Sequence, residues 1–294
     1  MNQHPVKTQT VSKVEQARIV SPSQTARLAN SKWQIFQIGA GGTGSHLVSH
    51  IARLIASNET IAERIGSYAI VDGDIVEKKN VGRQLFIARD VGVYKSEVLA
   101  KRYSKAYGVS LGYVCEHLGP GFVDKLVPRG SLLSPSLVIG AVDTAAARKL
   151  IYDEIRKAQG ARNTIWWMDA GNGRETGQVV LGNTDKPGLL RAGLGEAFIE
   201  FLPYPAVLFP ELIDEELDAQ VTELSCAEAI AQDEQGPNIN AQMGLIIAEM
   251  LRVFLLGELR WGVATVNYKT MHIEGWEITD SWLAHMLGTI PKEE

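Results

Sequence analysis

Three glycines with the spacing Gly39-x-Gly41-x-x-Gly44 stand between a short β-prone run and a helical pattern. Such glycines permit a tight turn and let backbone N–H groups approach phosphate oxygens. The N-terminus of the helix that follows adds a positive dipole. We therefore expect the turn to hold a phosphate-bearing ligand. A strand–helix turn that binds nothing is the structural alternative.

The stretch after the second predicted strand carries a carboxylate and two cations. Asp72 ends that strand, which is where a Rossmann fold places the carboxylate that binds ribose hydroxyls. Capping of the next turn is an alternative role for this aspartate. Asn80, Arg83 and Lys95 follow it. A nicotinamide dinucleotide presents only a pyrophosphate, whereas a triphosphate that is cleaved requires more cationic stabilisation. The residues thus favour triphosphate chemistry, with a solvated basic loop as the alternative.

The elements that must position these residues alternate between strands and helices. This alternation predicts an α/β fold with a doubly wound, Rossmann-like and mostly parallel sheet. Asp143 follows a continuously apolar run at 137–142, which is typical of a buried parallel strand. The other predicted strands are 34–38, 68–71, 113–116, 164–168 and 178–181, and the predicted helices are 47–55, 95–103, 148–155 and 239–256.

The domain boundaries follow from changes in composition. Residues 1–31 are polar and predict an N-terminal tail with a short helix at about 22–30, and we assign residues 32–294 to one domain. Within it, residues 183–237 are rich in proline and acidic side chains, which indicates a crossover-loop insert. Residues 258–280 predict a closing antiparallel hairpin. The tryptophans at 166, 167, 261, 276 and 282 are interpreted as core or dimer-interface packing.

Composition narrows the possible function classes. The 294 residues carry a net charge of −5, which disfavours general nucleic-acid binding. Two cysteines are too few for a disulfide framework, and the polar N-terminus predicts no secretory signal. The most apolar helical stretch, 243–256, is interrupted by Glu249 and Arg252 and falls short of a membrane span. We therefore expect a cytoplasmic protein that does not bind a membrane.

Taken together, these motifs resemble the ThiF/MoeB/HesA family, the adenylating domain shared with ubiquitin-activating enzymes. The resemblance covers about residues 33–256 and points most closely to the ThiF-like members of the PRTRC bacterial gene systems. We assign the matched glycines and polar residues to the nucleotide site, with Arg83 and Lys95 also assigned to catalysis. The assigned positions are Gly39, Gly41, Gly42, Gly44, Asp72, Asp74, Asn80, Arg83, Gln84, Lys95 and Asp143.

This resemblance implies ATP-dependent adenylation of a carboxylate. The implied substrate is the C-terminal glycine of a small ubiquitin-like, β-grasp protein. The glycine turn would face the nucleotide, Asp72 would hold the ribose, and Asn80, Arg83 and Lys95 would contact the phosphates. Asp143 would hold Mg²⁺, which bridges phosphate oxygens and screens developing charge.

The family pattern also bears on assembly and on zinc. It implies a homodimer in which an N-terminal arginine reaches the partner subunit's site, and both Arg18 and Arg27 fit this role. Thr144 replaces the asparagine that usually follows the aspartate, and Val81 replaces a leucine. The C-x-x-C pairs that bind structural zinc in many relatives are missing from the sequence, so zinc is not expected.

Cys226 lies in the predicted insert, shortly before the helix at 239–256. Relatives that form a thioester place their cysteine on this crossover loop, so the resemblance implies that Cys226 attacks the acyl-adenylate. A small buried cysteine is the structural alternative, which is also our interpretation of Cys115. Three other functions stay open: a NAD-dependent oxidoreductase, adenylation of another carboxylate such as a peptide terminus or a modified tRNA base, and a non-catalytic nucleotide-binding scaffold.

We predict that Cys226 forms a thioester when the protein is incubated with a ubiquitin-like partner and MgATP. An acyl-adenylate is an activated electrophile and a thiolate is a strong nucleophile, so transfer needs only a reachable cysteine. Non-reducing electrophoresis should show an adduct that a thiol reagent removes. The adduct should be absent in Cys226→Ser and retained in Cys115→Ser. Adenylation without any adduct in the wild type would make Cys226 a packing residue.

Overall fold

The computed structural model describes residues 16–20, 32–127, 135–158, 165–186, 188–189, 197–216 and 237–289. The described strands are β1 (Ile19–Val20), β2 (Trp33–Ile38), β3 (Ile65–Val71), β4 (Gly112–Val114), β5 (Ser136–Gly140), β6 (Ile165–Asn172), β7 (Thr176–Gly182), β8 (Phe198–Ile199), β9 (Trp261–Asn267) and β10 (His272–Glu277). The described helices are α1 (Gly42–Ser57), α2 (Glu59–Arg64), α3 (Lys95–Tyr107), α4 (Phe122–Leu126), α5 (Ala145–Ala158), α6 (Pro205–Leu208), α7 (Pro237–Leu256) and α8 (Asp280–Thr289).

Eight of these strands form one sheet in the order β4-β3-β2-β5-β6-β7-β9-β10. The pairs from β4 to β6 are parallel, and the pairs from β6 to β10 are antiparallel. The chain runs from β2 outward to β3 and β4, and then returns to β5 on the other side of β2. This reversal creates a switch point between β2 and β5, where open α/β sheets bind ligands.

Both faces of β2, β5 and β6 are buried, which explains the apolar runs in β5 and β6. Alternate side chains of β2, β5 and β6 enter two separate hydrophobic cores. In register across the sheet, Ile35, Leu137 and Trp166 belong to one core, whereas Phe36, Val138 and Trp167 belong to the other. Helices α1, α3 and α7 cover the first face, and α4 and α5 cover the second. The prediction of a doubly wound, mostly parallel sheet is confirmed.

Helix α7 differs in length from the sequence-based expectation. Residues Asn238–Leu256 have the length and composition that a membrane span requires, so the judgement that this stretch is too short is wrong. It is the one such helix among the described residues, and 61% of its most apolar window is buried inside the protein. Phe254 packs edge-on against Trp33 and Trp166, which is the packing of a core helix.

The C-terminal hairpin is confirmed as β9 and β10, which extend the sheet beyond β7. The predicted N-terminal tail contains a strand, because β1 pairs with β8 and Val20 is buried. The predicted helix at 22–30 and residues 217–236 of the predicted insert lie outside the described residues. The described part of the insert contains β8, α6 and a 3₁₀ turn at Pro210–Ile213.

Candidate functional site

A cleft of about 1350 Å³ runs along the carboxyl edge of the sheet, across the switch point. Its lining begins near β4 with Glu116 and His117, passes the loops after β3, β2 and β5, and ends beyond β9 with His272 on β10. Pockets for a single small ligand usually measure roughly 300–1,000 Å³. The cleft therefore has room for a nucleotide and part of a second molecule.

The glycine turn lies at the centre of this cleft. Gly39 has a φ of +98°, and a Cβ on this residue would collide with the backbone carbonyl oxygen of Ala141. Only glycine lets the loops after β2 and β5 approach so closely. Gly44 does not line the cleft; a Cβ there would strike the carbonyl oxygen of Gly39, so this glycine serves the turn's own packing.

The N-terminus of α1 opens directly into the cleft. Gly41 is its N-cap, no side chain caps its backbone amides, and its first turn holds no acidic residue. The space around Gly41 is open, since a Cβ there would have only Gln84 Nε2 nearby, at 3.8 Å. Unpaired amides and a positive helix end form an anion-binding surface. The predicted phosphate site thus has the expected backbone geometry.

A buried hydrogen-bond network, which the sequence analysis missed, holds the turn from below. Gln37 is fully buried, and its Nε2 donates to the carbonyl oxygens of Gly39 at 2.7 Å and Gly44 at 3.0 Å. The hydroxyl of Tyr68 donates to Gln37 Oε1 at 2.6 Å. The only sequence signal was a polar residue in an apolar strand. Because both carbonyls of the turn are bonded to one side chain, the network fixes the shape of the turn.

The Asp72 carboxylate connects the β3 end to the glycine turn. Its Oδ2 accepts from the backbone N–H of Ala40 at 2.6 Å, and its Oδ1 accepts from that of Asp74 at 2.8 Å. Burial raises the pKa of this carboxyl above its usual range, and the two backbone hydrogen bonds oppose that shift. Each oxygen can accept a further hydrogen bond. Asp72 therefore bonds the backbone as a capping residue would, and its two oxygens can still accept hydrogen bonds from ligand hydroxyls.

The block after Asp72 contributes polar groups from the same side of the cleft. Lys95 is buried, and its Nζ lies 2.8 Å from Asp74 Oδ2. Asn80 is buried as well, and its Oδ1 accepts from the backbone N–H of Glu77 at 2.9 Å, which anchors the 3₁₀ turn that carries it. Arg83 is exposed and lines the cleft. These residues and Asp72 line the same wall of the cleft.

Gln84 carries an unsatisfied polar atom at this wall. Its Oε1 is buried and accepts no hydrogen bond among the described residues. A buried acceptor without a donor costs about 1–3 kcal/mol. The atom of Gln84 that faces Gly41 across the cleft is Nε2, so Gln84 presents a donor to the space above the glycine turn.

Asp143 is an exposed carboxylate just beyond the end of β5 and lines the cleft. Arg148 holds the neighbouring backbone, because it donates to the carbonyl oxygen of Val142 at 2.6 Å and pairs with the buried Asp169 at 2.9 Å. Burial raises the pKa of Asp169, and the charge of Arg148 opposes the shift. Among the described residues, no three histidine, cysteine or acidic side chains are grouped as a metal site.

Two predicted functional residues lie outside the described residues, namely Cys226 and Arg27. Arg18 is described, and its position conflicts with a role in a partner subunit. It is 6% exposed, and its guanidinium pairs with Asp280 of the same chain. This ion pair and the pairing of β1 hold Arg18 against its own fold.

Comparison with protein families identifies the class. A model described as the ThiF family matches residues 13–278, so the chain belongs to the ThiF family. The family resemblance is thereby confirmed, whereas the closer relation to PRTRC systems stays a prediction. A search of curated protein sequences gives no significant match.

Solved structures share the fold at low sequence identity. E. coli MccB with ATP has a TM-score of 0.51 at 18% identity, over 86% of this chain and 65% of that chain. MccB with AMPCPP and MccA has a TM-score of 0.52 at 17% identity, with the same coverage. PaaA has a TM-score of 0.53 at 17% identity, over 86% of this chain and 74% of that chain. The chain thus spans 65% of the length of MccB.

We predict that Tyr68→Phe destabilises the protein by about 1–3 kcal/mol, because it leaves Gln37 Oε1 buried without a donor. Urea unfolding should measure the loss, and the affinity for ATP should fall with it, since Gln37 holds the turn. Tyr107→Phe is the matched control because Tyr107 is 39% exposed. Equal unfolding free energies for the two variants would exclude a clamping role for the network.

Proposed function

We propose that the protein catalyses ATP-dependent adenylation of a carboxylate. The single observation that carries the proposal is the convergence of an uncapped helix N-terminus, a buried lysine and an exposed arginine on one wall of a cleft with room for two molecules. Membership of the ThiF family and the ATP-bound MccB structure support the same chemistry.

In this proposal the nucleotide lies along the β4 side of the cleft. Asp72 accepts from the ribose hydroxyls, and the amides at the start of α1 bind phosphate oxygens. Asn80, Arg83 and Lys95 neutralise the charge of the triphosphate. Gln84 Nε2, which faces the glycine turn, donates to an oxygen of the nucleotide. Lys95 stays oriented toward the cleft through its ion pair with Asp74.

The residues present also fit Mg²⁺. Magnesium is commonly held by one or two protein carboxylates together with substrate phosphates and water. Asp143 is an exposed carboxylate beside the glycine turn and meets this requirement without a preformed cluster. When bound, Mg²⁺ would screen charge on the phosphates. The buried Arg148–Asp169 pair fixes the backbone that presents Asp143.

The chemical step joins the two occupants of the cleft. A carboxylate oxygen of the substrate attacks the α-phosphorus of ATP and forms a C–O–P bond. The bond from the α-phosphorus to the bridging oxygen breaks, and pyrophosphate leaves with the electron pair. Side-by-side binding supplies proximity, and the wall of cations stabilises charge on the leaving group.

We further propose that the substrate is the C-terminal glycine of a small ubiquitin-like protein. MccB has been crystallised with MccA and with ATP, so a protein of this fold holds both a nucleotide and a partner. The cleft of this chain extends past β6 over β7 and β9, where the walls are uncharged. An extended C-terminal segment fits such an open, polar channel. Transfer to Cys226 belongs to the same proposal.

We predict that Lys95→Met and Arg83→Ala reduce ATP–pyrophosphate exchange by about 10²–10³-fold through kcat, by analogy with removal of one transition-state donor. Exchange is measured with candidate β-grasp partners that end in glycine. The matched controls are Lys101→Met and Arg89→Ala, which replace the same residue types outside the cleft. Wild-type turnover in both cleft variants would contradict the phosphate-site assignment.

We also propose a homodimer, and we predict a light-scattering mass of twice that of the chain at micromolar concentration. Of the tryptophans interpreted as core or dimer-interface packing, Trp166 and Trp167 are buried in the core and the three others are half-buried. Exposed apolar side chains are concentrated between residues 75 and 94, namely Ile75, Val81, Ile87, Val91, Val93 and Tyr94. Ile87→Asp should lower the mass, whereas Met271→Asp, at an exposed residue elsewhere, should not. A monomeric wild type would refute the proposal.

A further inference from the structure

Three uncharged polar side chains, two of them buried, form a hydrogen-bonded cluster on the β6 side of the glycine turn. Thr43 is on the first turn of α1, Asn172 ends β6, and Asn240 is on the first turn of α7. Asn172 Nδ2 donates to Asn240 Oδ1 at 3.0 Å. The Thr43 hydroxyl lies 3.1 Å from Asn172 Oδ1 and 3.2 Å from Asn240 Oδ1. The sequence analysis assigned no role to any of the three.

This cluster fixes the orientation of the Asn240 amide. Both neighbours approach its Oδ1, so Nδ2 must be on the other side of the amide group. A Cβ on Gly42 would collide with this nitrogen, which places Nδ2 over the start of α1. Asn240 is only 4% exposed and lines the cleft, and its hydrogen bonds to Thr43 and Asn172 both involve Oδ1. Its two N–H groups therefore join the free amides of the helix N-terminus.

The charge of the surroundings indicates which ligand group this donor serves. The lining residues from β6, β7, α7 and β9 carry no charge, although Arg148 beside β6 and His272 on β10 also line the cleft, whereas Lys95 and Arg83 line the opposite side. Cations and the start of α1 favour phosphate groups, so the triphosphate is expected between the glycine turn and the Lys95 side. An amide N–H suits a single carboxylate or carbonyl oxygen. The position of Asn240 beside the glycine turn is where a group attacking the α-phosphorus would arrive.

We propose that Asn240 Nδ2 binds the non-attacking oxygen of the substrate carboxylate, with Thr43 and Asn172 holding the amide in place. This inference rests on the adenylation function proposed above. One carboxylate oxygen forms the bond to the α-phosphorus as pyrophosphate leaves, and no proton moves. The other oxygen becomes the acyl carbonyl and keeps its hydrogen bond to Asn240. The contact orients the carboxylate for in-line attack and retains the acyl-adenylate.

Two soluble probes test this assignment without knowledge of the natural partner. The first is AMP. The second is 5′-O-[N-(N-acetylglycyl)sulfamoyl]adenosine, a stable mimic of an acyl-adenylate whose acyl part ends in a capped glycine. Both contain an adenosine and an anionic group, but only the second has the acyl carbonyl. The ratio of their dissociation constants, measured by calorimetry, therefore reports on the acyl site.

Asn240→Asp is the informative variant. An aspartate keeps the shape and still accepts from Thr43 and Asn172, but it replaces two donors with a charged acceptor. We expect affinity for the acyl probe to fall about tenfold or more beyond any loss of AMP affinity, because both probes carry an anion but only the acyl probe presents a carbonyl oxygen to position 240. Asn58→Asp is the control, because it adds the same charge at the N-cap of α2, where aspartate also caps. Asn240→Leu removes the amide without adding charge and should weaken the acyl probe selectively as well.

The outcomes separate this inference from the function on which it rests. An equal loss of affinity for both probes in Asn240→Asp would indicate that Asn240 belongs to the phosphate site, and it would overturn the assignment of Asn240 to the acyl group. Unchanged affinity for the acyl probe in both variants would also overturn it while leaving the adenylation proposal intact. Binding of neither probe by the wild type would overturn the nucleotide site itself. Thermal melting identifies a variant that fails to fold. If one of the two Asn240 variants fails, the affinities of the other variant test the assignment.

Discussion

The close approach of the glycine turn to the loop after β5 is the constraint on which the site depends. Gly39, at a φ of +98°, lets its backbone lie against the carbonyl oxygen of Ala141. Gln37 then bonds both ends of the turn, and Tyr68 fixes Gln37. A side chain at position 39 would separate the two loops, so the start of α1 and Asp143 would no longer border one cleft.

The order of the strands distributes charge along the cleft. The loops after β3 supply Asp72, Asp74 and Lys95, and the end of β5 supplies Asp143. The antiparallel strands beyond β6 supply uncharged polar and apolar lining residues and His272. In the proposed function, the nucleotide and the polypeptide substrate therefore have separate halves of one cleft. The antiparallel extension does more than close the sheet, since it forms the second half of the cleft.

Local sequence was sufficient to predict the fold class and one wall of the site. Runs such as 137–142 are apolar throughout because both faces of the sheet are covered. The glycine spacing and the block from Asp72 to Lys95 are local in sequence, so their convergence could be predicted from the strand ends alone. The roles of these residues in catalysis, and that of Cys226, stay predictions.

Tertiary structure alone decided the other wall. Thr43 and Asn240 lie 197 residues apart in sequence and meet only because α1 and α7 pack side by side. Tyr68 and Gln37 are 31 residues apart and meet through the pairing of β2 with β3. The family resemblance left Arg18 and Arg27 open for a partner's site, and β1 and Asp280 hold Arg18 on its own fold. The sequence by itself determined the periodicities and the chemistry of short motifs, because these depend on neighbouring residues. The folded chain determined which distant polar groups share a cleft, because side-chain hydrogen bonds depend on packing between elements that no local pattern encodes.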